Sequence, residues 1–403
     1  MAEYRQFNPQ DAMEFANLHS DLFGEHSKLS CHSFGDGHMN QVFRVQSQTG
    51  SSLIVKQGLP FARGLSNHWP LSLDRRRIEA QTLRLFAAVA PDFVVEVLHY
   101  DADQAAILLE DLEQLTMLDL ALLQGRQFQQ LGQQLGEFLA HTAVAYSDLM
   151  SALPQQRARQ LQFSNPEPWQ ITEDLLFNDP YCHHERNEVP AALRVQVQQL
   201  WYDEALLAQV AALKACFRSQ ADTLVHGDFS SQSVFASPRG LKVIDAEFAG
   251  YGPHGFDLGI MLGSLIMHYL AASYAPPPHS GFSQAQTKDQ QNYLFNQIKA
   301  LLQSYPRVWL AQAGQCRDGL FSNPLFHREQ LLKALQHAIG FAGCEIIRRV
   351  YGAFPAACLQ QLPAKERLAT QTSCLQLAQR LILHYRQIQQ SETLLAWLQD
   401  QAN

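Results

Sequence analysis

Two acidic motifs in the second half of the chain carry residue types suited to phosphoryl transfer. The first, HGD, spans residues 226–228 and the second, DAE, spans residues 245–247, and each follows a short apolar run that is typical of a strand. A hairpin between them would bring three carboxylates together. One carboxylate could accept a proton from an attacking hydroxyl, and the others could hold Mg²⁺ through hard oxygen ligands. Each motif alone is weak, because acidic residues at strand ends are commonly solvated loop residues.

A glycine-bearing loop and a lysine precede these motifs in the order that a nucleotide-phosphate site requires. Gly35, Asp36 and Gly37 stand before the apolar run VFRV and predict a loop over the phosphates. Lys56 ends the run SLIVK, and Glu79 on the next predicted helix is placed to pair with it. Taken singly, a GxG turn is more often a plain hairpin, and a lysine at a strand end usually faces solvent. The ordered set is much harder to explain by chance.

The elements that must position these residues divide the chain into two unequal parts. Apolar alternation at 34–57, 93–99 and 105–109 predicts strands, and the pattern at 74–89 predicts a helix inserted between them. Long helical patterns rich in Gln, Leu and Ala dominate after residue 116. We therefore predict an α+β, bilobal fold in which an antiparallel sheet with one inserted helix is followed by a larger, mainly helical lobe. The predicted lobes are 1–112 for nucleotide binding and 113–403 for catalysis and substrate binding.

Composition excludes several classes of protein. The 403 residues are 46% hydrophobic and 17% charged, which excludes global disorder. A net charge of −8 would repel a phosphate backbone, so nucleic acid is not an expected partner. Residues 258–275 are uncharged and just reach spanning length, but polar residues interrupt them, so we predict a buried helix and no membrane. Scattered cysteines and an N-terminus without an apolar core indicate a reducing, cytoplasmic location.

Four segments together resemble the protein-kinase-like small-molecule kinases, a group that includes the aminoglycoside and choline kinases. They are GDGHMNQVFRV, LIVKQGLPFARGLSNHWPLSLDRRRIEA, LVHGDFSSQSVFA and KVIDAEFAGYGPHGFDLG. The last is the most specific, because it has DxE where the general pattern has DFG or DxD, and it most resembles the methylthioribose kinase family. The resemblance implies a protein-kinase-like fold and ATP-dependent phosphorylation of 5-methylthioribose to its 1-phosphate in methionine salvage. The alternatives are a kinase for another small hydroxylated substrate, whether sugar, aminoglycoside or choline-like, and a nucleotide-binding protein without turnover.

The resemblance also implies roles for individual residues in catalysis and nucleotide binding. Asp228 would orient or deprotonate the acceptor hydroxyl, while Asp245 and Glu247 would bind Mg²⁺. Ser233 stands where ordinary kinases have an asparagine metal ligand, and Glu247 would replace that ligand. The residues expected to contact ATP or to orient those contacts are Gly35, Asp36, Gly37, Asn40, Lys56, Glu79 and the hinge residues Glu110, Asp111 and Leu112, whose backbone would meet adenine.

Three further residues are implied at the sugar substrate. Arg348 and Arg349 resemble a paired arginine that neutralises charge developing on the transferred phosphoryl group. Trp69 matches a loop tryptophan near the substrate. The alternatives are a surface ion pair for one arginine and a core-capping role for the tryptophan. Dimers occur in the family, so a homodimer is a further expectation.

Other polar residues near the motifs are expected to have structural roles. His226 is expected to brace the catalytic loop by packing and hydrogen bonds. Asp257 is expected to cap the buried helix and to anchor the same loop through backbone N–H groups. Residues 75–77, three consecutive arginines, are expected to form a solvated helix face, with electrostatic attraction of ATP as the lesser alternative.

Overall fold

The N-terminal part of the protein is built on a five-stranded antiparallel sheet with the order β1-β2-β3-β7-β6. The computed structural model describes residues 4–24, 27–34, 39–62, 69–276 and 280–402. The strands of this part are Leu29–Ser33 (β1), Asn40–Ser47 (β2), Ser52–Gly58 (β3), Phe61–Ala62 (β4), Trp69–Pro70 (β5), Val97–Asp101 (β6) and Ala106–Glu110 (β7). Its helices are Pro9–Leu18 (α1) and Arg75–Val89 (α2). The predicted sheet and its inserted helix are confirmed.

Alternation along β3 decides which way Lys56 points. Leu53 and Val55 are buried with Phe15 of α1 in one apolar cluster. Because successive side chains of a strand face opposite sides of a sheet, Lys56 points to the other side. Glu79 of α2 lies on that side and contacts the lysine.

Helices make up most of the second part. They are Leu118–Leu123 (α3), Leu131–Ala145 (α4), Leu153–Gln162 (α5), Pro166–Glu173 (α6), Arg194–Tyr202 (α7), Glu204–Ser219 (α8), Phe256–Tyr274 (α9), Gln284–Ala313 (α10), Pro324–Tyr351 (α11), Ala357–Gln360 (α12), Ala364–His384 (α13) and Ser391–Ala402 (α14). Residues 195–217 carry one continuous helical pattern in the sequence, but the structure breaks it between α7 and α8. Asp203 causes the break, because its carboxylate accepts the Leu206 N–H and caps the start of α8.

Helix α9 is the core of the second part. It is long and apolar enough to cross a membrane by length and composition, but 94% of its most apolar stretch is buried inside the protein. It packs against α10, α11 and α13. The prediction of a buried helix at this position is confirmed.

Short strands in the second part place the two acidic motifs side by side. They are Thr116–Met117 (β8), Thr223–Val225 (β9), Val234–Ser237 (β10), Gly240–Val243 (β11) and Gly250–Gly252 (β12). The hairpin formed by β10 and β11 lies between the motifs, and β9 pairs with β12. The HGD motif lies between β9 and β10, and the DAE motif follows β11. Both motifs therefore lie at the same end of the β10–β11 hairpin, the end away from its turn.

Candidate active site

A cavity of about 510 Å³ contains the acidic motifs and the arginine pair. Its polar lining includes Asp228, Asp245, Glu247, Arg348 and Arg349. These residues come from three separate regions of the sequence. The structure brings the three carboxylates together, as the motifs predicted, and places beside them the arginine pair that the resemblance implied.

The HGD loop is held against the DAE loop by His226 and Gly227. The His226 imidazole donates from Nε2 to the Ile244 carbonyl (2.7 Å) and accepts the Asp228 N–H at Nδ1 (3.3 Å). Gly227 has φ +87°, and a Cβ there would lie 2.1 Å from the Phe248 carbonyl oxygen, so only glycine fits. The predicted bracing role of His226 is confirmed.

Asp257 anchors the same loop from the first turn of α9. Its carboxylate accepts the N–H groups of His226 (2.6 Å) and Gly227 (3.0 Å). The predicted anchoring is therefore confirmed, but the predicted capping is wrong, because Gly255 occupies the N-cap position and has no side chain to cap with.

Ser233 stands where ordinary kinases carry a metal-binding asparagine, and its hydroxyl forms hydrogen bonds with the backbone instead. Its hydroxyl donates to the Asp228 carbonyl (3.0 Å) and accepts the Ser230 N–H (2.9 Å), which closes the turn after the HGD motif. The neighbouring Gln232 lines the cavity instead. The sequence analysis did not identify Gln232 as a site residue.

Asp245 has the left-handed backbone conformation, with φ 64° and ψ 38°, which aspartate tolerates better than most residues. Its carboxylate contacts the Lys56 ammonium, which also lies 2.8 Å from Glu79 Oε1. The predicted pairing of Lys56 with Glu79 is confirmed. Burial would lower the pKa of Lys56, but the two carboxylates outweigh burial and raise it, so the lysine remains charged.

Arg75 and Arg76 do not form the solvated face predicted for them. Both are 0% exposed, and both guanidinium groups contact Oε2 of Glu247, with Arg75 Nε at 3.0 Å. Arg76 also contacts Glu79. The prediction holds only for Arg77, which pairs with an aspartate at the surface. The reason is that the Glu247 carboxylate, distant in sequence, meets both cations and, together with Glu79, compensates their burial.

Glu247 is ionised and contacts three side chains at one side of the cavity. Besides the arginines, it accepts a hydrogen bond from Asn40 Nδ2 at Oε1 (2.8 Å). Burial would raise the pKa of Glu247, but Arg76, Lys56 and Arg75 outweigh burial and hold the pKa well below its ordinary value. The Asn40 side chain therefore contacts Glu247, and its predicted role in nucleotide binding stays a prediction.

The DAE loop is supported from behind by α6 and the residue before it. Asn165 Nδ2 donates to the Glu247 carbonyl (2.9 Å), and Trp169 Nε1 donates to the Phe248 carbonyl (3.1 Å). Gly250 lies against the indole, where a Cβ would come within 2.5 Å of Trp169 Nε1. Asn165 and Trp169 were not predicted as site residues, because nothing local in the sequence marks a residue whose partner lies about 80 positions away.

Arg348 and Arg349 lie near the C-terminus of α11 and share one partner. Arg348 Nε contacts Glu345 Oε2 (2.7 Å), and Arg349 Nε contacts Glu345 Oε1 (2.8 Å). Arg348 Nη2 also lies 3.7 Å from Asp228 Oδ1. Both arginine side chains are largely buried and line the cavity, which excludes the alternative of a surface ion pair.

The side chains of the predicted hinge residues have structural partners. Glu110 accepts the Glu96 N–H (2.8 Å), Asp111 forms an ion pair with Arg44 (2.6 Å), and Leu112 is buried in the main core. The predicted contact with adenine concerns the backbone of these residues and stays a prediction.

Two further sets of predicted contacts stay predictions. Gly35, Asp36 and Gly37 lie outside the described residues. Trp69 packs beside the apolar residues of the cavity wall, and the Arg186 guanidinium lies 5.2 Å from the centre of its ring. Its predicted contact with substrate stays a prediction.

Away from the cavity, the described residues contain one other grouping with metal-ligand spacing, formed by His19, His99 and Asp101. The two imidazole rings are stacked, with centroids 3.8 Å apart and planes inclined by 7°. A metal ion lies near the plane of each imidazole that binds it, so one ion cannot satisfy both rings in this arrangement.

Comparisons with known proteins agree with this geometry. The family described as "APH: Phosphotransferase enzyme family" matches residues 30–293. The methylthioribose kinase of Pectobacterium carotovorum subsp. carotovorum (strain PC1) is 38% identical over 401 residues, which cover 98% of each chain. The methylthioribose kinase of Enterobacter sp. (strain 638) is 40% identical over 354 residues, which cover 87% of each chain. Among solved structures, a choline/ethanolamine kinase family protein from Mesorhizobium loti is 12% identical with a TM-score of 0.44, covering 96% of this chain and 97% of that chain. By the extent of the family match and the identity over nearly the whole length, the chain belongs to the phosphotransferase enzyme family and, within it, to the methylthioribose kinases.

Proposed function

We propose that the protein transfers the γ-phosphoryl group of ATP to the anomeric hydroxyl of 5-methylthioribose and forms 5-methylthioribose 1-phosphate for methionine salvage. The observation that carries this proposal is the convergence of Asp228, Asp245 and the arginine pair on one cavity in a chain 37–40% identical to methylthioribose kinases. The kinase acts on a small molecule in the cytoplasm. A homodimer is proposed by analogy with the family.

The lining of the cavity supports a sugar that carries an apolar group. One wall is apolar and includes Met39, Ile171, Leu175 and Phe354. A second, polar part of the lining carries the carboxylates and the arginines. A methylthio group would bury apolar surface against the first wall, while the ring hydroxyls would face hydrogen-bonding groups on the second.

Phosphoryl transfer needs little covalent chemistry from the protein, so the residues act by position and charge. We propose that Asp228, whose side chain is 44% exposed to the cavity, orients the anomeric hydroxyl and accepts its proton. Arg348, beside it, would stabilise negative charge that develops on the phosphoryl oxygens. Lys56 would contact the nucleotide phosphates, because its ammonium is held charged by Glu79 and Asp245.

The donor set of the cavity fits a magnesium ion. Asp245 and Glu247 both line the cavity, and Mg²⁺ prefers a few carboxylate oxygens together with phosphate oxygens and water. We propose that these two residues hold the ion. When bound, it would neutralise charge on the phosphates.

Purified protein with ATP, Mg²⁺ and 5-methylthioribose is expected to release ADP and to form a sugar 1-phosphate. A coupled assay measures the ADP, and ³¹P NMR identifies the sugar 1-phosphate. Asp228→Asn should lower kcat by about 10²- to 10⁴-fold, the range typical of a lost general base. Binding of a fluorescent ATP analogue should be unchanged in that variant. Asp318→Asn, on the exposed loop between α10 and α11, is the control and should keep wild-type activity.

A substrate panel tests the acceptor. Ribose, glucosamine, choline and kanamycin are expected to be phosphorylated with a kcat/KM far below that of 5-methylthioribose. The proposal is refuted if ATP binds but 5-methylthioribose is not phosphorylated, or if another member of the panel is the better acceptor.

A further inference from the structure

Glu345 is a buried acid that the proposed chemistry does not use directly. It lies on α11, three and four residues before the arginine pair, so all three side chains share one face of the helix. Its side chain is 1% exposed, and both carboxylate oxygens contact guanidinium groups. Arg348 binds it through two nitrogens, with Nε at 2.7 Å from Oε2 and Nη2 at 3.1 Å from Oε1.

Glu345 competes with Asp228 for Arg348. The guanidinium lies 2.7 Å from the nearer oxygen of Glu345 but 3.7 Å from Asp228 Oδ1. The paired geometry with Glu345 is the stronger of the two, because bidentate arginine–carboxylate bonds are short and charge-assisted. Without Glu345, the nearest carboxylate available to Arg348 would be that of Asp228, and a direct ion pair would occupy the group that must receive the acceptor hydroxyl.

Glu345 also fixes Arg349 and, through it, the end of the cavity. Arg349 Nη1 donates to the Phe354 carbonyl (3.1 Å), and Phe354 lines the cavity with a left-handed φ of 59°. A bulky residue adopts this conformation only when its surroundings impose it. The carboxylate therefore aims one arginine at the reacting end of the cavity and the other at the loop that forms its apolar wall.

We propose that Glu345 is a positioning residue of the transfer reaction, which holds Arg348 at the phosphoryl-transfer position and keeps it from pairing directly with Asp228. This inference rests on the proposed kinase function. Glu345 lies outside the sequence motifs. Its proposed role is to keep Asp228, the base, apart from Arg348, the cation that stabilises the phosphoryl group.

The test is Glu345→Gln, which keeps the size of the side chain and removes its charge. The expected result is a kcat lower by about 10- to 100-fold, because misplacing a charged group by about 1 Å costs that much. The Kd for ATP should stay within about twofold of the wild-type value, since the nucleotide side is untouched. In an Arg348→Met background, the same change should lower kcat by less than about threefold, because Arg348 is the group through which Glu345 acts on the transferred phosphoryl group, whereas Arg349 contacts the loop of the apolar wall.

The matched control is Glu173→Gln. Glu173 is also a buried acid held by two cations, with Arg218 at 2.5 Å and Lys214 at 3.3 Å, but these cations do not line the cavity. This variant should lose stability and keep kcat within about twofold. Glu345→Asp keeps the charge and shortens the side chain, and we expect it to fold and to show an intermediate kcat. It takes the place of Glu345→Gln in the test if Glu345→Gln does not fold.

The outcomes separate the two proposals. A wild-type protein that phosphorylates 5-methylthioribose, together with a Glu345→Gln variant as active as the Glu173→Gln control, would overturn the positioning role alone. The positioning role is also overturned if the loss in Glu345→Gln is as large in the Arg348→Met background, or if Glu345→Asp has full activity. A wild-type protein that does not turn over would overturn the proposed function and this inference together.

Discussion

Two neighbouring arginines are expected to differ sharply in their effect on stability. Arg76→Met removes a cation that is 0% exposed and contacts the carboxylates of Glu79 and Glu247. Arg77→Met removes a cation whose side chain is 27% exposed and pairs with Asp74 at the surface. Methionine keeps much of the aliphatic length in both variants, so the difference isolates the charge.

The size of each effect follows from burial. Removing one partner from a buried ion pair typically costs about 3–5 kcal/mol, because the other charge stays buried without full compensation. Glu247 would keep Arg75 and Glu79 would keep Lys56, so the lower end of that range is expected for Arg76→Met. An exposed pair is worth about 0–1 kcal/mol, which is the expected cost of Arg77→Met.

Urea unfolding of the nucleotide-free protein at pH 7, followed by circular dichroism, measures both free energies. The slope with urea should be the same for both variants and the wild type, so that the midpoints report stability. A difference of less than about 1 kcal/mol between the two variants would refute the buried cluster, since burial is what makes the loss of one partner of an ion pair costly.

Two further predictions concern pH and packing. Burial would raise the pKa of Glu345, but Arg348 and Arg349 outweigh burial and lower it, and the pKa of Glu247 is lowered in the same way. Their stabilisation should therefore be complete above the unfolded carboxyl pKa of about 4.3 and be lost as the pH falls below it; urea midpoints that are flat between pH 5 and pH 3 would contradict this. Gly250→Ala should cost about 1–3 kcal/mol by overpacking, because its Cβ would meet Trp169 at 2.5 Å, whereas Gly252→Ala has its closest contact at 3.0 Å and should cost less. Melting temperatures that fall equally in the two glycine variants would show that the indole can move aside.

The parts of the fold that were predicted depend on local patterns. Alternation predicted the sheet, and helical periodicity predicted α2. An uncharged run of near-spanning length that polar residues interrupt predicted the buried α9. The order of a lysine, a glutamate and two acidic motifs predicted which side chains meet at the cavity. The missed break at Asp203 also had a local signal, because an aspartate that precedes a glutamate and an apolar run is a typical helix start.

Burial of charge could not be predicted in the same way. Arg76 and Arg77 are adjacent and chemically identical, and the partner that separates them, Glu247, is 171 positions from Arg76. A sequence shows that a cation is present but not whether a distant anion compensates its burial. Glu345 is an intermediate case, because its spacing of three and four residues from the arginines was visible and only its competition with Asp228 required the structure.

The attachment of α2 to the DAE loop limits how this enzyme can be regulated. In protein kinases, activity is switched by moving the helix that carries the lysine's glutamate partner. Here an outward swing would take both arginines away from Glu247, and the buried carboxylate would stay in the DAE loop without them, at about 3 kcal/mol or more. That penalty confines the swung form to about one molecule in a hundred or fewer. An effector that acts by moving this helix would have to supply that free energy, so we expect turnover to follow the supply of the two substrates.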